Sequence, residues 1–517
     1  MSIARRTLTA LAVAALAAAA LPTTAAHAAD DPAGVLHLTV TAPDGTPMQG
    51  SVDVLAADSS YSRGLQQLDE SGQLSLELPA NDYKIAISPA YGSPDLPDDV
   101  LRQWVPGRTT WAQAGTVRVS AGDTTDVTER LLAPASSTLR ARDALTGAPI
   151  DSFCVFIDPR RSACGGPELT VSPLVPGPQR ITVSTEDGSY LTREAPVTVS
   201  ADGGGANVVD LTPSAHVVSQ VVDATTGAPV AGVCLTVTPA GTGDLARRSP
   251  QACSDTTGRV RLDRVEAGSW NIFARPATGS PYGAQWVGAT GGTGDPKQAR
   301  AITLRTGQTV TVPAIRLDRA GVVTGTVTSA ATGKLVTSGT VTLAHEPGVS
   351  GPRWGVALDA QGRYRIDWLG PYAWPLLFTT GGNATQWSGG FALRGKATPV
   401  TVRAGATTTY SPALRRGVLV TGRLVDPEGR PVNAQVTVHS ARTGEVVGWT
   451  SDGDGEYALR VLGPQKVTVA WLWTPPYVRY AGWYDGAATQ AEATQVAVPG
   501  SSPFQLDVEV GRFPVTE

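Results

Sequence analysis

Four cysteines are the residues whose type and spacing carry the clearest chemistry in this 517-residue sequence. They fall into two similar pairs, because Cys154 and Cys234 follow the same kind of Gly-Ala-Pro turn at the same distance, and an alanine precedes both Cys164 and Cys253. Four cysteines permit three connectivities. The matched positions favour the disulfides Cys154–Cys164 and Cys234–Cys253. In an oxidising compartment, each would stabilise its domain by about 3 kcal/mol.

A metal site is the alternative use of these cysteines. Such sites usually contain a Cys-x-x-Cys pair, and this sequence has no such pair. A second candidate is the run Asp452-Gly453-Asp454-Gly455-Glu456, which resembles part of a calcium loop but lacks the remaining ligand spacing. A plain hairpin turn is the better interpretation of that run. We therefore expect no bound metal and no cofactor.

Side chains that could catalyse a reaction are scattered along the sequence. His37, His216, His345 and His439 stand singly on or beside predicted strands, and we interpret them as exposed strand histidines. The pair Asp98-Asp99 could be imagined as the two acids of a glycosidase, but it lies among prolines. The sequence has no Gly-x-Ser-x-Gly motif of a nucleophilic serine. The expectation is a protein that is not an enzyme.

Tryptophans are the best candidates for binding residues. Gln103-Trp104, Gln285-Trp286 and Gln386-Trp387 recur before a predicted closing strand, and Trp483-Tyr484 takes the same place later. The rings could plug the end of a domain or a joint between domains, or they could form a platform on which sugar rings stack. The second interpretation gives a list of candidate ligand-binding residues: Gln285, Trp286, Gln386, Trp387, Trp483 and Tyr484.

The alternation of side chains along a strand also indicates which tryptophans are buried. Trp471 and Trp473 share their parity with Val467 and Val469. Alternate residues of a strand point to the same face of its sheet. We therefore predict that these two tryptophans continue a buried face.

Two kinds of turn recur along the chain and place all these residues between strands. A turn centred on Gly and followed by an apolar residue occurs five times, at 44–48, 146–150, 226–230, 332–336 and 428–432. A second turn, Asp-x-x-Gly, precedes another alternating strand at 69–72, 255–258, 359–362 and 452–455. Gly accepts positive φ, and Asp can accept hydrogen bonds within its own turn. The repeat predicts β-sandwiches of about 100 residues.

Composition supports an all-β chain. The sequence has 57 Gly and 39 Pro but only 7 Phe and 2 Met, which favours short strands joined by turns over long helices. Its formal net charge of −4 supplies no basic field for phosphates. Nucleic acid is therefore excluded as an expected partner.

The first residues have the features of an export signal. Arg5 and Arg6 precede an apolar run at 8–21, and Ala26-His27-Ala28 offers small residues for cleavage. The paired arginines leave the general and the twin-arginine export routes both open. No later segment approaches the roughly 20 apolar residues of a membrane span. We predict a secreted, extracellular protein without a membrane span.

Five domains follow from the spacing of the repeats. The predicted division is a signal peptide at 1–28, unit 1 at 29–134, a shortened unit 2 at 135–213, unit 3 at 214–318, unit 4 at 319–415 and unit 5 at 416–517. Units 2 and 3 each carry one disulfide. Short connections between units favour a stiff row of modules.

The order of strands and turns carries a family resemblance, and 422–469 is the closest match. It resembles the carboxypeptidase regulatory-like repeat, which implies transthyretin-like or immunoglobulin-like β-sandwiches grouped with carbohydrate-binding sandwiches. Because fold does not determine function, three classes of function stay open, and we rank them in order of preference. We expect a secreted, non-catalytic binding or scaffold protein whose partner is a polysaccharide or an extracellular protein. The alternatives are a carbohydrate-binding accessory protein of a polysaccharide-degrading system and, third, a glycoside hydrolase.

Overall fold

The computed structural model describes the chain in eight stretches: 33–57, 62–91, 101–158, 161–245, 250–345, 353–451, 453–475 and 479–511. The predicted signal peptide, the pair Asp98-Asp99 and Asp452 lie outside these residues. The described residues form strands and a few short 3-10 turns, at Trp111–Gln113, Pro296–Gln298, Arg394–Lys396 and Tyr484–Gly486. The predicted all-β fold is therefore confirmed.

Unit 1 shows the plan that the other units repeat. Its strands are β1 Ala33–Thr41, β2 Gly50–Ala56, β3 Ser62–Gln67, β4 Gln73–Pro79, β5 Asn81–Pro89, β6 Gln103–Trp104, β7 Val117–Val119 and β8 Thr124–Arg130. One sheet has the order β4-β1-β8, and the other has the order β3-β2-β5-β6 with β7 beside β5. The opening strand is antiparallel to β4 and parallel to β8. The unit thus begins and ends side by side in one sheet, and most of the strands in between form the other sheet.

Unit 2 keeps this plan with fewer strands. They are β9 Ala135–Asp143, β10 Phe153–Asp158, β11 Arg161–Gly165, β12 Glu168–Leu174, β13 Gly177–Ser184, β14 Arg193–Val199 and β15 Ala206–Leu211. The two sheets are β12-β9-β15 and β11-β10-β13-β14. Leu169 lies opposite Leu139, which fixes the register of the strand that follows the atypical Gly165-Gly166 turn.

Unit 3 extends the second sheet. Its strands are β16 Ala215–Asp223, β17 Val233–Pro239, β18 Gln251–Cys253, β19 Arg259–Val265, β20 Gly268–Pro276, β21 Gln285–Val287, β22 Gly292–Thr293, β23 Ile302–Leu304, β24 Thr309–Thr311 and β25 Ile315–Leu317. The order is β19-β16-β24, with β25 also on β16, against β18-β17-β20-β21-β22, with β23 on β20.

Unit 4 is divided into many short strands. They are β26 Gly321–Thr326, β27 Thr328–Ser329, β28 Thr340–Thr342, β29 Gly355–Ala357, β30 Arg363–Leu369, β31 Ala373–Trp374, β32 Leu377–Thr380, β33 Asn383–Trp387, β34 Val400–Thr401, β35 Thr407–Thr409 and β36 Ala413–Leu414. The main sheets are β30-β26-β35 and β29-β28-β32-β33, and β27-β36 and β31-β34 form small pairs.

Unit 5 returns to the plan of unit 1. Its strands are β37 Val418–Val425, β38 Ala434–Ser440, β39 Val446–Thr450, β40 Glu456–Val461, β41 Gln465–Trp473, β42 Tyr480–Trp483, β43 Val496–Val498, β44 Phe504–Gln505 and β45 Val508–Glu509. The sheets are β40-β37-β44, with β45 on β37, and β39-β38-β41-β42, with β43 on β41. Trp471 and Trp473 are buried with Val467 and Val469, as their parity predicts.

The three Asp-x-x-Gly turns whose Asp the structure describes have the predicted geometry. Asp255 Oδ1 accepts hydrogen bonds from the backbone N–H groups of Thr257, at 2.8 Å, and Arg259, at 3.0 Å. Gly258 closes the turn at φ 75°, a conformation that favours glycine. Asp69 and Asp359 make the same bonds in their units. These carboxylates have a backbone role.

Both predicted disulfides are confirmed. Cys154 bonds Cys164 across the antiparallel pair β10 and β11, and Cys234 bonds Cys253 across β17 and β18. In each case the two residues are direct partners in the register of the strands. Each bond therefore joins neighbouring strands within one unit.

Candidate functional site

The glutamines of the repeated Gln-Trp pairs bind the end of their own unit. Gln386 Nε2 donates to the carbonyl oxygen of Arg415, at 3.0 Å, and its Oε1 accepts from the Arg415 N–H, at 3.1 Å. Gln103 makes the same two bonds with the backbone of Leu132, and Gln285 Nε2 donates to Arg316 O at 3.0 Å. All three glutamines are buried. An amide that pairs both its donor and its acceptor with backbone fixes the last strand against the second sheet.

Trp286 lies inside the joint between units 3 and 4. Its side chain is fully buried, and its ring centroid lies 5.0 Å from that of Phe273. Both rings belong to the same apolar cluster as Val323, Ile366 and Phe378 of unit 4. The core of unit 4 therefore continues into unit 3, and Trp286 offers no exposed face for a sugar.

Hydrogen bonds run along the same joint. Trp354 Nε1 of unit 4 donates to Leu245 O of unit 3, at 2.7 Å. The backbone N–H of Ala284 donates to Trp368 O, at 2.7 Å, and Ala284 O accepts from the N–H of Gly370, at 2.9 Å. The two units thus share backbone pairing as well as apolar contacts.

Tyr372 connects the glutamine of unit 3 to unit 4. Its hydroxyl oxygen lies 2.7 Å from Gln285 Oε1 and 2.7 Å from an Asp318 carboxylate oxygen. Burial and the neighbouring Asp318 carboxylate raise the pKa of Tyr372 well above its usual range. The hydroxyl therefore keeps its proton and donates it to this pair of oxygens.

Trp387 lies at the joint between units 4 and 5. Only 3% of its surface is exposed, its ring centroid lies 5.9 Å from that of His345, and the guanidinium carbon of Arg394 lies 5.4 Å from the ring. The backbone N–H of Arg394 donates to Glu445 Oε2 of unit 5, at 2.9 Å. This ring also has no open face for stacking, which corrects the expectation of a platform at Trp286 and Trp387.

Trp483 and Tyr484 are less enclosed than the other aromatic candidates. Both side chains are partly buried, and Tyr484 packs against the core of unit 5. The ring centroid of Trp483 lies 4.9 Å from that of His439. The structure thus places the six predicted residues at separate points along units 3 to 5 and does not gather them into one surface.

A cavity of about 750 Å³ lies where units 3, 4 and 5 meet. Unit 3 contributes residues 240–244, unit 4 contributes Ala344, His345, Trp387 and Arg394, and unit 5 contributes His439 and residues 443–446. Rim residues such as Thr242 and Thr443 are exposed, whereas Trp387 is buried. The lining therefore includes residues that are open to solvent as well as a buried ring.

Two histidines, His345 and His439, line this cavity. Burial, with the nearby Arg394 charge and His439, lowers the pKa of His345 to about 3, so the ring is neutral at pH 7. Burial also lowers the pKa of His439, whose Nδ1 lies 3.0 Å from Gly444 O. The prediction of exposed strand histidines is wrong for His345, whose ring nitrogens are buried, and for His216, which is buried with its Nδ1 2.7 Å from Asp263 Oδ1.

The grouping of His345, Arg394 and His439 had no signal in the sequence. The three residues are far apart along the chain and belong to two units, and the loop that faces them comes from a third. Only the position of Trp387 pointed to this region. A site assembled at a joint depends on how the units pack, and a repeat pattern within each unit does not specify that packing.

One group of potential metal ligands occurs among the described residues: Cys154, Cys164 and Glu186. Both sulfur atoms belong to a disulfide, so neither is a thiolate that could bind a metal. This group therefore gives no candidate metal centre.

No protein-family model and no curated protein matches this chain. Among solved structures, the Bacillus anthracis TIE protein is similar at 10% identity and a TM-score of 0.16, covering 93% of this chain and 69% of that one. BcpA, the major pilin subunit of Bacillus cereus, is similar at 13% identity and a TM-score of 0.15, covering 56% of this chain and 99% of that one. A DUF3823 family protein from Bacteroides uniformis has 11% identity, a TM-score of 0.16, and coverage of 56% and 100%.

In the described part of the chain, no helix has the length and apolar character needed to cross a membrane.

Proposed function

We propose that this protein is an exported, non-catalytic scaffold in which tandem β-sandwiches hold binding surfaces at fixed positions outside the cell. The observation that carries the proposal is the continuous core between units 3 and 4, in which Trp286 and Phe273 pack with the unit 4 core. A shared core restricts motion between domains far more than a polar contact does. A stiff block of units suits a spacer or scaffold.

Export is supported by two features. The predicted signal peptide begins the sequence, and the two disulfides need an oxidising compartment to form and persist. The relation to carboxypeptidase regulatory-like repeats belongs to the same proposal. It is supported by the strand order that the units of this chain have in common, and by the Asp turns of units 1, 3 and 4.

The test is to produce the full chain in a cell with an intact export system and to separate the culture medium from the cells. We expect a protein in the medium that begins near Ala29, carries both disulfides in peptide maps, and turns over no substrate in a panel of polysaccharides and esters. Retention in the cytoplasm with reduced cysteines, or turnover of any substrate, would contradict the proposal.

The carbohydrate-binding alternative now depends on Trp483 and Tyr484, because they are the aromatic candidates with exposed surface. A single stacked ring contributes about 0.5 to 1.5 kcal/mol beyond burial, so one such site would bind weakly. Retention of the Trp483→Ala variant on insoluble polysaccharides, compared with the unchanged chain, tests this role. Equal retention of the variant and the unchanged chain would show that Trp483 does not bind the polysaccharide.

A further inference from the structure

A groove of about 660 Å³ lies between units 4 and 5 and shares no lining residue with the cavity described above. Its volume falls within the range of known ligand pockets, roughly 300 to 1,000 Å³. Both units contribute to the lining: residues 390–393, Lys396 and Arg415 from unit 4, and residues 440–442, residues 462–466 and Gln495 from unit 5. The groove therefore forms only where the two units meet.

The lining of this groove is strongly basic. It includes four cationic side chains and no carboxylate, and the four cations are Lys396, Arg415, Arg442 and Lys466. All four residues are exposed, so a ligand in the groove can contact them. The full sequence has 45 acidic and 41 basic residues and a formal net charge of −4, so the groove has the opposite sign to the chain. A local positive field of this kind attracts anions.

No carboxylate in the described part of the chain neutralises these cations. None of the four forms an ion pair with a described acidic residue. Glu445 lies in the same hairpin connection as Arg442, but its carboxylate accepts a hydrogen bond from the backbone N–H of Arg394, at 2.9 Å, and lines the other cavity. The charges of the groove are therefore available to a ligand.

Arg415 is held at the groove by its own unit. Its backbone N–H donates to Gln386 Oε1 at 3.1 Å, and its Nη1 donates to Gly390 O at 3.3 Å. The other N–H groups of the guanidinium remain for a ligand, and a planar guanidinium can bind a carboxylate through two parallel hydrogen bonds. The buried glutamine of the repeated Gln-Trp pair thus also positions a cation at the surface.

Phe391 gives the groove an apolar surface. Its ring side chain is 41% exposed, and its backbone pairs with that of Trp387. The backbone N–H of Gly389, in the same loop, donates to the Tyr410 hydroxyl at 2.8 Å. The loop therefore holds the ring at the surface, where the C–H face of a sugar ring can pack on it. The exposed amide of Gln495 can both donate to and accept from sugar hydroxyls.

The exposure of the cations determines what kind of anion can bind. An ion pair at a solvent-exposed site contributes little by itself, because water and salt screen the charges. A ligand with a single carboxylate would therefore bind poorly in this groove. A polymer can place several anions on the four cations at once, because each later contact forms within an existing complex.

We propose that this groove binds an anionic polysaccharide, a polymer of sugar acids, with the four cations holding its carboxylates and Phe391 packing against a sugar ring. The site goes beyond the scaffold role, which names no ligand, and Trp483 and Tyr484 do not line it. Its failure would leave the proposed export and the stiff block of units untouched.

The experiment is a titration of the full chain against a fluorescently labelled fragment of poly-D-galacturonate, observed by fluorescence anisotropy. We expect saturable binding whose affinity falls roughly tenfold or more between about 50 and 200 mM NaCl, because the polymer releases counterions when the cations bind. The methyl-esterified polymer is the matched control ligand, since it keeps the sugar rings and loses the charges. We expect no saturable binding of the ester or of monomeric D-galacturonate over the same concentrations.

Two double variants with the same change of net charge locate the site. Arg442→Gln with Lys466→Gln removes two cations of the groove, and we expect a loss of affinity of about tenfold. Arg403→Gln with Arg423→Gln removes two exposed cations that do not line the groove, and the affinity should stay the same. All four substitutions change exposed side chains, so both variants should melt at the temperature of the unchanged chain.

Phe391→Ala distinguishes a polysaccharide from other polyanions. We expect it to weaken the binding of polygalacturonate about threefold, because the sugar loses its aromatic contact, and to leave the binding of inorganic polyphosphate unchanged. An equal effect on both ligands, or no effect on either, would show that the groove recognises charge alone and would overturn the assignment to a polysaccharide.

Further results would also overturn the proposal. They are the absence of saturable binding of polygalacturonate at low salt, equal affinity for the polymer and its methyl ester, an affinity that does not change with salt, and equal losses in the two double variants. Equal losses would show that the polymer responds to the total charge of the chain and not to the groove.

Discussion

The joint between units 2 and 3 and the joint between units 3 and 4 are built from different interactions. At the first, Arg264 Nη2 donates to Thr185 O at 2.6 Å, and the backbone N–H of Ser214 donates to Ser189 O at 2.8 Å. At the second, Trp286 is fully buried in a core that both units share. Polar contacts have a water-bonded alternative when they break, whereas a shared core must expose apolar surface. We conclude that units 3 and 4 form one body and that unit 2 is joined to it more loosely.

The position of each repeated tryptophan makes the same distinction. Trp104 of unit 1 packs with Leu55, Ala86 and Ala114, all within its own unit, and lies 5.4 Å from Trp111 by ring centroids. Its counterpart Trp286 packs into the next unit. One sequence motif therefore serves as a plug inside a unit in one place and as a joint in another.

Loss of Trp286 should have the largest effect. We expect Trp286→Ala to lower the free energy of unfolding of the block formed by units 3 and 4 by about 3 to 5 kcal/mol, because a large buried ring leaves a cavity. Calorimetry should then show separate unfolding transitions for these units. The matched control Trp104→Ala should lower only the transition of unit 1, and equal effects of both variants on units 3 and 4 would disprove the distinction.

Tyr372→Phe should have a smaller effect on the same joint. The variant removes the hydroxyl that binds Gln285 and Asp318, and we expect a loss of about 1 kcal/mol in the coupling between units 3 and 4. Urea unfolding of the two units measures this coupling. In the control Tyr282→Phe, the lost bond to Asp223 lies within unit 3, so the coupling should remain.

The joint between units 4 and 5 should weaken in mild acid. Because the pKa of His345 is about 3 in the folded chain and 6.5 in the reference state, only the unfolded chain takes up a proton as the pH falls between these values. The contribution of neutral, buried His345 to the free energy of unfolding is therefore complete above pH 6.5 and is lost progressively as the pH falls toward 3. Urea unfolding at pH 7 and pH 5 should show a smaller loss in His345→Gln than in the unchanged chain; an equal loss would contradict this role.

Arg264→Ala should have the smallest effect. The hydrogen bond that it removes between units 2 and 3 is polar and partly exposed, so we expect a change of about 1 kcal/mol or less in the unfolding free energy. X-ray scattering should nevertheless show a wider range of angles between the two units. A loss comparable to that of Trp286→Ala would show that this joint is not held by polar contacts alone.

The sequence predicted whatever depends on local spacing. The period of two placed Trp471 and Trp473 in a buried face, the Asp turns formed as expected, and matched positions gave both disulfides. These features depend on neighbours within one unit. The exact limits of the units stay predictions.

The contacts between units were not predictable in the same way. The hydrogen bond that Tyr372 donates to Gln285 and the one that the Arg394 N–H donates to Glu445 each join two units. A pattern that repeats in every unit cannot distinguish Trp104, which stays within its unit, from Trp286, which enters the next. That difference arises from the packing of whole domains.

Spin-label distances provide the most direct test of the central claim that units 3 and 4 form one body. Labels at the exposed residues Thr303 of unit 3 and Thr407 of unit 4 span the joint with the shared core, and labels at Thr170 of unit 2 and Thr303 of unit 3 span the polar joint and serve for comparison. We predict that the Thr303–Thr407 distance distribution is as narrow as one measured within a single unit, and that the Thr170–Thr303 distribution is broader. A Thr303–Thr407 distribution as broad as the Thr170–Thr303 distribution would contradict the account.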